Sequence, residues 1–88
     1  MNQEVQTAIA LRYAPERGED APRIAATGSG HIADEILRIA RENDVPLRSD
    51  PALASALATL DVGQQVPQEL FRAVAEVLAF VYKMNGKS

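Results

Sequence analysis

The longest amphipathic pattern in the chain lies near its carboxyl end. Between residues 68 and 84, apolar side chains recur at spacings of three and four residues, the period of an α-helix with one broad apolar face. That face consists of Leu70, Phe71, Val74, Ala75, Val77, Leu78, Val81 and Tyr82. Pro67 suits the start of such a helix, and Gly86 is a stop signal beyond its end. Because a face this wide needs a cover, we expect the preceding residues to pack on it.

The amino-terminal half begins with a different period. Residues 5–13 alternate β-branched or large apolar side chains with smaller or polar ones, which predicts a β-strand. On the second face of that strand, Ala8 and Ala10 leave room for close packing. Residues 14–22 contain two prolines and four charged side chains and are predicted to be a solvated loop. Residues 23–27 form a short second strand, so the two strands are expected to pair as an antiparallel hairpin.

A helix and a third strand are predicted next. Residues 31–43 have the helical period, with an apolar face of Ile32, Ile36, Ile39 and Ala40 flanked by Ala33 and Leu37. Residues 45–48 read Val-Pro-Leu-Arg and are predicted to be a short strand at a sheet edge, because Pro46 has no N–H to donate. Strand, helix and strand in this order form a βαβ unit with parallel strands and a right-handed crossover.

The overall prediction is an α/β fold. Asp50 or Ser49 offers an N-cap for a further helix that starts at Pro51 and runs to about residue 60. The element order is then β-β-α-β-α-α, a small mixed three-stranded sheet, made of a hairpin plus the βαβ unit, packed by three helices. The 88 residues are expected to form a single domain, 1–88, with flexible ends at 1–4 and 85–88.

Composition excludes several classes of function. The net charge of −3 argues against nucleic acid as a partner. The chain has no cysteine, so disulfides, thiolate metal sites and cysteine nucleophiles are excluded. No apolar run is long enough to span a membrane, and the first residues lack the regions of a signal peptide. We therefore expect a cytoplasmic protein without direct membrane insertion.

Three short patterns suggest ligand chemistry, but each has a simpler explanation. The Gly-Ser-Gly sequence at 28–30 precedes a helix as a phosphate cradle does, yet the third glycine of a dinucleotide fingerprint is Ala33 here. A tight turn from strand to helix explains it better. Residues 86–88, Gly-Lys-Ser, match only the end of a P-loop, and the earlier glycine that motif needs is Val81. His31 is the one histidine, which makes a zinc site implausible.

Acid–base catalysis has no good candidate either. Asp34 and Glu35 are adjacent carboxylates, but neighbouring residues of a helix point in different directions. We therefore predict no catalytic residue, no metal and no cofactor. A small enzyme would need a cluster of titratable groups that the sequence does not offer.

Four stretches nevertheless resemble a known family. They are AIALRY at 8–13, the turn at 28–30 with IADEILRIARENDVPL at 32–47, DPALASAL at 50–57, and DVGQQVPQELFRAVAEVLAFVY at 61–82. Together they are similar to the cytoplasmic C-terminal domain of the FlhB/YscU family of flagellar and type III secretion export-gate proteins. The resemblance covers roughly residues 5–84. It implies a role in recognising export substrates and in switching between substrate classes.

One motif of that family is missing. Its members carry Asn-Pro-Thr-His before the first matching strand and cut themselves after the asparagine, whose side-chain amide attacks its own backbone carbonyl. The corresponding positions here are Gln3, Glu4, Val5 and Gln6. A glutamine would need a larger ring, and no proline follows it. We therefore expect no self-cleavage, and we interpret the chain as a short free-standing homologue of the fragment that remains after cleavage.

The resemblance also implies a binding surface. A small hydrophobic recognition patch of the family carries over to Ala21, Pro22, Ala75 and Leu78. The simpler alternative is that Ala75 and Leu78 are core residues of the last helix. The expected function is that of a non-enzymatic module that contacts protein partners, either export substrates or membrane export-gate components, in place of or beside the C-terminal domain of a full-length relative. It would be monomeric and peripheral to the membrane gate. The alternative is a small self-associating interaction domain with no export role.

Overall fold

The structure is a computed structural model that describes the backbone of residues 5–84 and the side chains of residues 5–79. Its elements are β1 (Thr7–Arg12), β2 (Arg23–Ser29), α1 (His31–Glu42), α2 (Pro51–Leu57) and α3 (Phe71–Met84), with single 3-10 turns at Pro15–Arg17 and Gln68–Leu70. The three helices and the first two strands therefore lie where the hydrophobic periods predicted them. The ends predicted to be flexible, Gln3, Glu4 and the P-loop-like residues 86–88 lie outside the described residues.

The two strands form the predicted antiparallel hairpin. Thr7 pairs with Ser29 at one end and Arg12 with Arg23 at the other, with an irregularity in register between Ala10 and Leu11. Side chains of directly paired residues lie on the same face of a sheet. One face consequently carries small residues, because Ala8 pairs with Gly28 and Ala10 with Ala26.

The predicted third strand at 45–48 is not confirmed, and neither is the parallel βαβ unit. Among residues 5–84 the sheet has two strands. After α1, Asp44 adopts a positive φ of 58°, and the Val45 N–H donates back to the Ala40 carbonyl at 2.8 Å. The end of α1 thus uses the backbone N–H of Val45, and Pro46 has no N–H. Neither residue can therefore donate a hydrogen bond to a neighbouring strand. Val45 and Leu47 remain exposed.

A different segment extends the sheet. Residues 63–66 run antiparallel to β2 on the edge opposite β1, joined by a bridge between Arg23 and Gln65. The Ile24 N–H donates to the Gln64 carbonyl at 3.0 Å, and the Val66 N–H donates to the Pro22 carbonyl at 2.9 Å. Residues 63–66 are therefore a third extended segment, or ribbon, of the sheet. This segment is antiparallel to β2 and lies in the chain just before α3.

Helix α1 covers the small-residue face of the hairpin and packs on both strands. Ala33 is completely buried, whereas Ile32 and Ile39 are 60% and 51% exposed. The apolar face predicted for this helix is therefore rotated, and the isoleucines at its edge face solvent. The small residues of this hairpin face let α1 approach closely, so that Ala33 is completely buried, while Ile32 lies against Gly28 through its Cβ and Cγ2 and leaves the rest of its side chain exposed. On the solvent face of α1, Arg38 forms two ion pairs, with Glu35 at 2.7 Å and with Glu42 at 2.8 Å.

The main core lies on the other face of the hairpin. It joins all three ribbons to α2 and α3 through the buried residues Ile24, Leu53, Leu57, Val66 and Val74. Ile9 and Leu11 of β1 pack against this cluster, as do Leu70, Phe71, Val77 and Leu78. The Asp50 carboxylate caps α2 by accepting the Leu53 N–H at 3.1 Å, as its position before Pro51 predicted. None of the helices within residues 5–84 is long and apolar enough to cross a membrane.

Candidate functional site

A shallow surface cleft of about 380 Å³ lies where the loop before β2 meets the start of α3. It is lined by Asp20, Ala21, Gln65, Val66, Pro67, Gln68 and Phe71. The sheet creates it, because the Val66 N–H and the Pro22 carbonyl hold the two chain segments side by side. Pro67, with an extended backbone, then turns the chain into the 3-10 turn that leads into α3.

The floor of the cleft is apolar and its rim is polar. Ala21 and Val66 are buried, and Phe71 packs against the main core. Gln65 and Gln68 are exposed at the rim, and so is Asp20, the one charged side chain in the lining. The lining thus combines an apolar floor with an acidic and amide rim, and Asp20 is its one side chain with an acidic group.

The rim also carries free backbone groups. In the bridge to Arg23, the hydrogen bonds are made by the residues that flank Gln65, namely Gln64 and Val66. This is the non-hydrogen-bonded type of antiparallel pair, in which the residue itself directs its N–H and C=O away from the neighbouring strand. Within residues 5–84, the backbone groups of Gln65 accordingly have no hydrogen-bond partner.

The structure places the four predicted patch residues in three different settings. Ala21 lines the cleft, and Pro22 is half-buried beside it with its carbonyl bonded to Val66. Ala75 is exposed on α3, while Leu78 is half-buried and packs against the main core. The simpler alternative, that both residues belong to the core, therefore holds for Leu78 but not for Ala75.

The two α3 residues are nonetheless continuous with the cleft. Phe71, Ala75 and Leu78 are spaced four and three residues apart, so they lie along one face of the helix. We use the name α3 stripe for the surface formed by Phe71, Ala75 and Leu78 of α3 together with Ala21, which lies beside Phe71 in the cleft. Sequence reasoning missed Asp20, Gln65 and Gln68 at the rim, since only the pairing of residues 63–66 with β2 brings them there. Phe71 belonged to the predicted apolar face, but nothing distinguished it from its core neighbours.

The remaining sequence candidates do not form a second site. The Gly30 N–H already donates to the Gln6 carbonyl at 2.9 Å, and Ile32 fills the space beside Gly28, so the turn at 28–30 is used by the fold. In the part of the chain that the structure describes, no group of three or more His, Cys, Asp or Glu residues is arranged to hold a metal ion. The pKa of Arg38 is raised by hydrogen bonds to Glu35 and then Glu42, on the solvent face of α1.

A second, smaller cleft of about 250 Å³ lies at the opposite end of the 63–66 pairing. Arg12 and Arg23 line it, but both are already engaged. Arg12 bonds to Glu19 at 2.6 Å, and the Arg23 guanidinium donates to the Gly63 carbonyl at 2.9 Å. This cleft therefore offers no free cation for an anionic ligand, and the first cleft is the better candidate.

Comparison with known proteins agrees with the sequence resemblance. The model of the FlhB HrpN YscU SpaS family matches residues 4–81. The uncharacterized protein YlqH of Bacillus subtilis (strain 168) is 40% identical over 81 residues, which is 92% of this chain and 86% of YlqH. The flagellar biosynthetic protein FlhB of the same strain is 46% identical over 81 residues, which is 91% of this chain but only 22% of FlhB.

Solved structures match over a similar range. The cytoplasmic domain of FlhB from Shewanella putrefaciens superimposes with a TM-score of 0.85 at 39% identity, over 90% of this chain and 61% of that one. A mutated EscU C-terminal domain superimposes with a TM-score of 0.84 at 26% identity, over 89% of this chain and 94% of that one. The fold described above is thus shared with cytoplasmic domains of export proteins.

Proposed function

Because the chain belongs to the FlhB HrpN YscU SpaS family, and is thereby related to the flagellar and type III export apparatus, we propose that it is a non-enzymatic binding module for proteins of that apparatus. Its partners are export substrates or components of the export gate. It works as a monomer in the cytoplasm, beside the membrane gate. It does so in place of or beside the corresponding domain of a full-length relative.

The observation that supports this proposal is the cleft and its continuation along the α3 stripe. Phe71 offers apolar surface at the cleft beside the buried Ala21, and the exposed Ala75 extends it along the helix. The lining of the cleft contributes one carboxylate and two amides, which can orient a bound protein without reacting with it. Surface of this kind is what a docking site requires, and a catalytic role would require titratable groups that converge.

The module also acts without cutting its own chain. The positions of the family's cleavage motif hold Gln3, Glu4, Val5 and Gln6, so neither the asparagine nor the proline of that chemistry is present. Gln6 has a structural use instead, since its carbonyl accepts the Gly30 N–H at the start of α1.

Binding measurements with a matched pair of variants test the proposal. Ala75→Glu places a charge on the exposed part of the α3 stripe, and Ala52→Glu makes the same change at an exposed position of α2 outside both clefts. Immobilised wild-type chain is titrated with purified export substrates and gate components from the same organism. We expect Ala75→Glu to weaken binding about tenfold or more and Ala52→Glu to leave it unchanged.

Two results would overturn the proposal. One is that no export protein binds the wild-type chain. The other is that Ala75→Glu, with an unchanged thermal unfolding midpoint, binds as tightly as Ala52→Glu. Expressing the chain in a strain whose FlhB lacks its C-terminal domain adds a cellular readout, and restored secretion supports a role in place of that domain.

Self-association without an export role is the second candidate, and the exposed Ile32 and Ile39 favour it. Sedimentation velocity separates the two candidates. A dimer that dissociates in Ile39→Glu supports self-association through α1, whereas a monomer over the tested concentration range supports the binding module.

A further inference from the structure

We propose that the cleft takes its partner as an extended segment that pairs with the backbone of Gln65, inserts one apolar side chain between Ala21 and Phe71, and presents a basic side chain to Asp20. This inference rests on the proposed binding function. It specifies the conformation and the charge of the segment that is bound.

The first step of the argument is the open edge of the sheet. Residues 63–66 are its outermost ribbon on this side, and the bonds of Gln64 and Val66 point inward to β2. Gln65 points its N–H and C=O outward from an exposed position. One donor and one acceptor at such an edge match the backbone of a single residue in an added strand, which is how sheet edges bind extended peptides.

The second step is the position of the cleft relative to that edge. Gln65 is itself a lining residue, and the next residues along the chain, Val66 and Pro67, form part of the cleft floor. Successive side chains of an extended segment point to opposite sides. A segment paired with Gln65 therefore directs alternate side chains into the cleft, where Ala21 and Phe71 supply apolar contact.

The third step is charge. Asp20 is the only charged side chain in the lining, and the exposed Glu69 and Arg72, which follow the lining residues Gln68 and Phe71, carry opposite charges. The chain as a whole carries a net charge of −3. A Lys or Arg two positions from the apolar residue lies on the same side of an extended segment, so the cleft favours a basic over an acidic segment.

The probe is the synthetic peptide Ac-Ser-Leu-Thr-Lys-Ser-NH2, titrated into isotopically labelled chain and followed by NMR. We expect the Gln65 amide proton to move downfield as its N–H gains an acceptor, with further shifts at Ala21 and Phe71. Replacing the peptide's Lys by Glu should weaken binding about threefold or more. N-methylation of one peptide amide should weaken it by a similar factor or more, because a lost backbone donor leaves the Gln65 carbonyl unpaired.

A matched pair of variants tests the same contact from the protein side. Gln65→Ala keeps the outward N–H, whereas Gln65→Pro removes it and leaves the inward bonds of Gln64 and Val66 in place. We expect Gln65→Ala to bind the peptide within about twofold of wild type and Gln65→Pro to bind about tenfold more weakly. Asp20→Asn should remove the preference for Lys over Glu in the peptide.

Several outcomes overturn the inference. A folded Gln65→Pro that binds like Gln65→Ala contradicts backbone pairing, and so does an N-methyl scan without effect on the wild-type chain, which needs no protein variant. Failure of the peptide to bind at ~1 mM rejects the extended segment as the occupant of the cleft. Binding of intact export proteins is measured separately, so a failed peptide titration leaves the proposed function standing.

Discussion

Ile32 occupies the space that a side chain on Gly28 would need. A Cβ built on Gly28 would lie 2.7 Å from the Ile32 Cβ and would overlap its Cγ2. Gly28 belongs to the small-residue face of the hairpin, and Ile32 to the first turn of α1. The missing side chain therefore sets how closely the start of α1 approaches the sheet.

Substitution of Gly28 by alanine should consequently be costly. We expect Gly28→Ala to lower the free energy of unfolding by about 1–3 kcal/mol, since the start of α1 must move away from β2. Urea denaturation measures the change. In a double-mutant cycle, Ile32→Ala should recover part of the loss, because it removes the overlapping methyl group but keeps its own Cβ. A Gly28→Ala variant as stable as wild type would show that α1 does not pack this closely.

The observed orientation of α1 leads to a second prediction, which concerns the stability cost of shortening apolar side chains. Leu57 is buried in the main core, whereas Ile39 is half-exposed although its spacing predicted a buried position. Leu57→Ala should lower the free energy of unfolding by about 2–5 kcal/mol. Ile39→Ala should change it by no more than about 0.5 kcal/mol, as is usual for surface positions. Equal losses in the two variants, measured by the same denaturation experiment, would contradict the observed face of α1.

The last residue pair of the hairpin leads to a prediction about how its stability depends on salt. Arg12 and Arg23 are direct cross-strand partners, an arrangement in which like charges repel. Glu19 relieves this by bonding to Arg12 at 2.6 Å while it also accepts the Ala14 N–H at 2.9 Å.

Removal of that charge should destabilise the hairpin. We expect Glu19→Gln to cost about 0.5–1 kcal/mol at low salt, and less in high salt, where the repulsion is screened. Thermal unfolding at two ionic strengths measures both values. Glu16→Gln, at a nearby exposed position, is the control that should have little effect. A cost for Glu19→Gln that does not change with salt would mean that repulsion between the arginines is not its cause.

The predicted absence of self-cleavage is checked by intact mass. After prolonged incubation at neutral pH, the purified chain should give one species with its full calculated mass. The physical reason is that Gln3 cannot form the ring that asparagine forms. A cytoplasmic FlhB domain that carries Asn-Pro-Thr-His, treated in parallel, is the positive control. A break within residues 2–7 of this chain would overturn the prediction.

Local signals in the sequence were sufficient for the individual elements. The three-and-four spacing of α3, the alternation in β1 and the Asp50–Pro51 cap are properties of neighbouring residues, and the structure confirms each of them. The strand predicted at 45–48 is not confirmed, because the end of α1 takes up the Val45 N–H. A propensity for extended backbone does not decide which donors and acceptors remain for a sheet.

The candidate site was predictable only in part. Ala21, Pro22, Ala75 and Leu78 came from the family resemblance, and the structure places Ala21 beside Phe71 in the cleft. Asp20, Gln65 and Gln68 gave no signal, since they are ordinary polar residues of two loops that lie more than forty residues apart. They share a rim because the bridge between Arg23 and Gln65 joins those loops.

The sequence by itself determined the helices, the hairpin and the family, because periodicity, capping and motif residues act over a few positions along the chain. Only the tertiary structure decided which segment completes the sheet, which side of α1 is buried and where the cleft lies. Each of those depends on long-range backbone hydrogen bonds, such as that from Val66 to Pro22, and on close approach at Gly28. Such pairings are selected by the packing of the whole core, which no local pattern records.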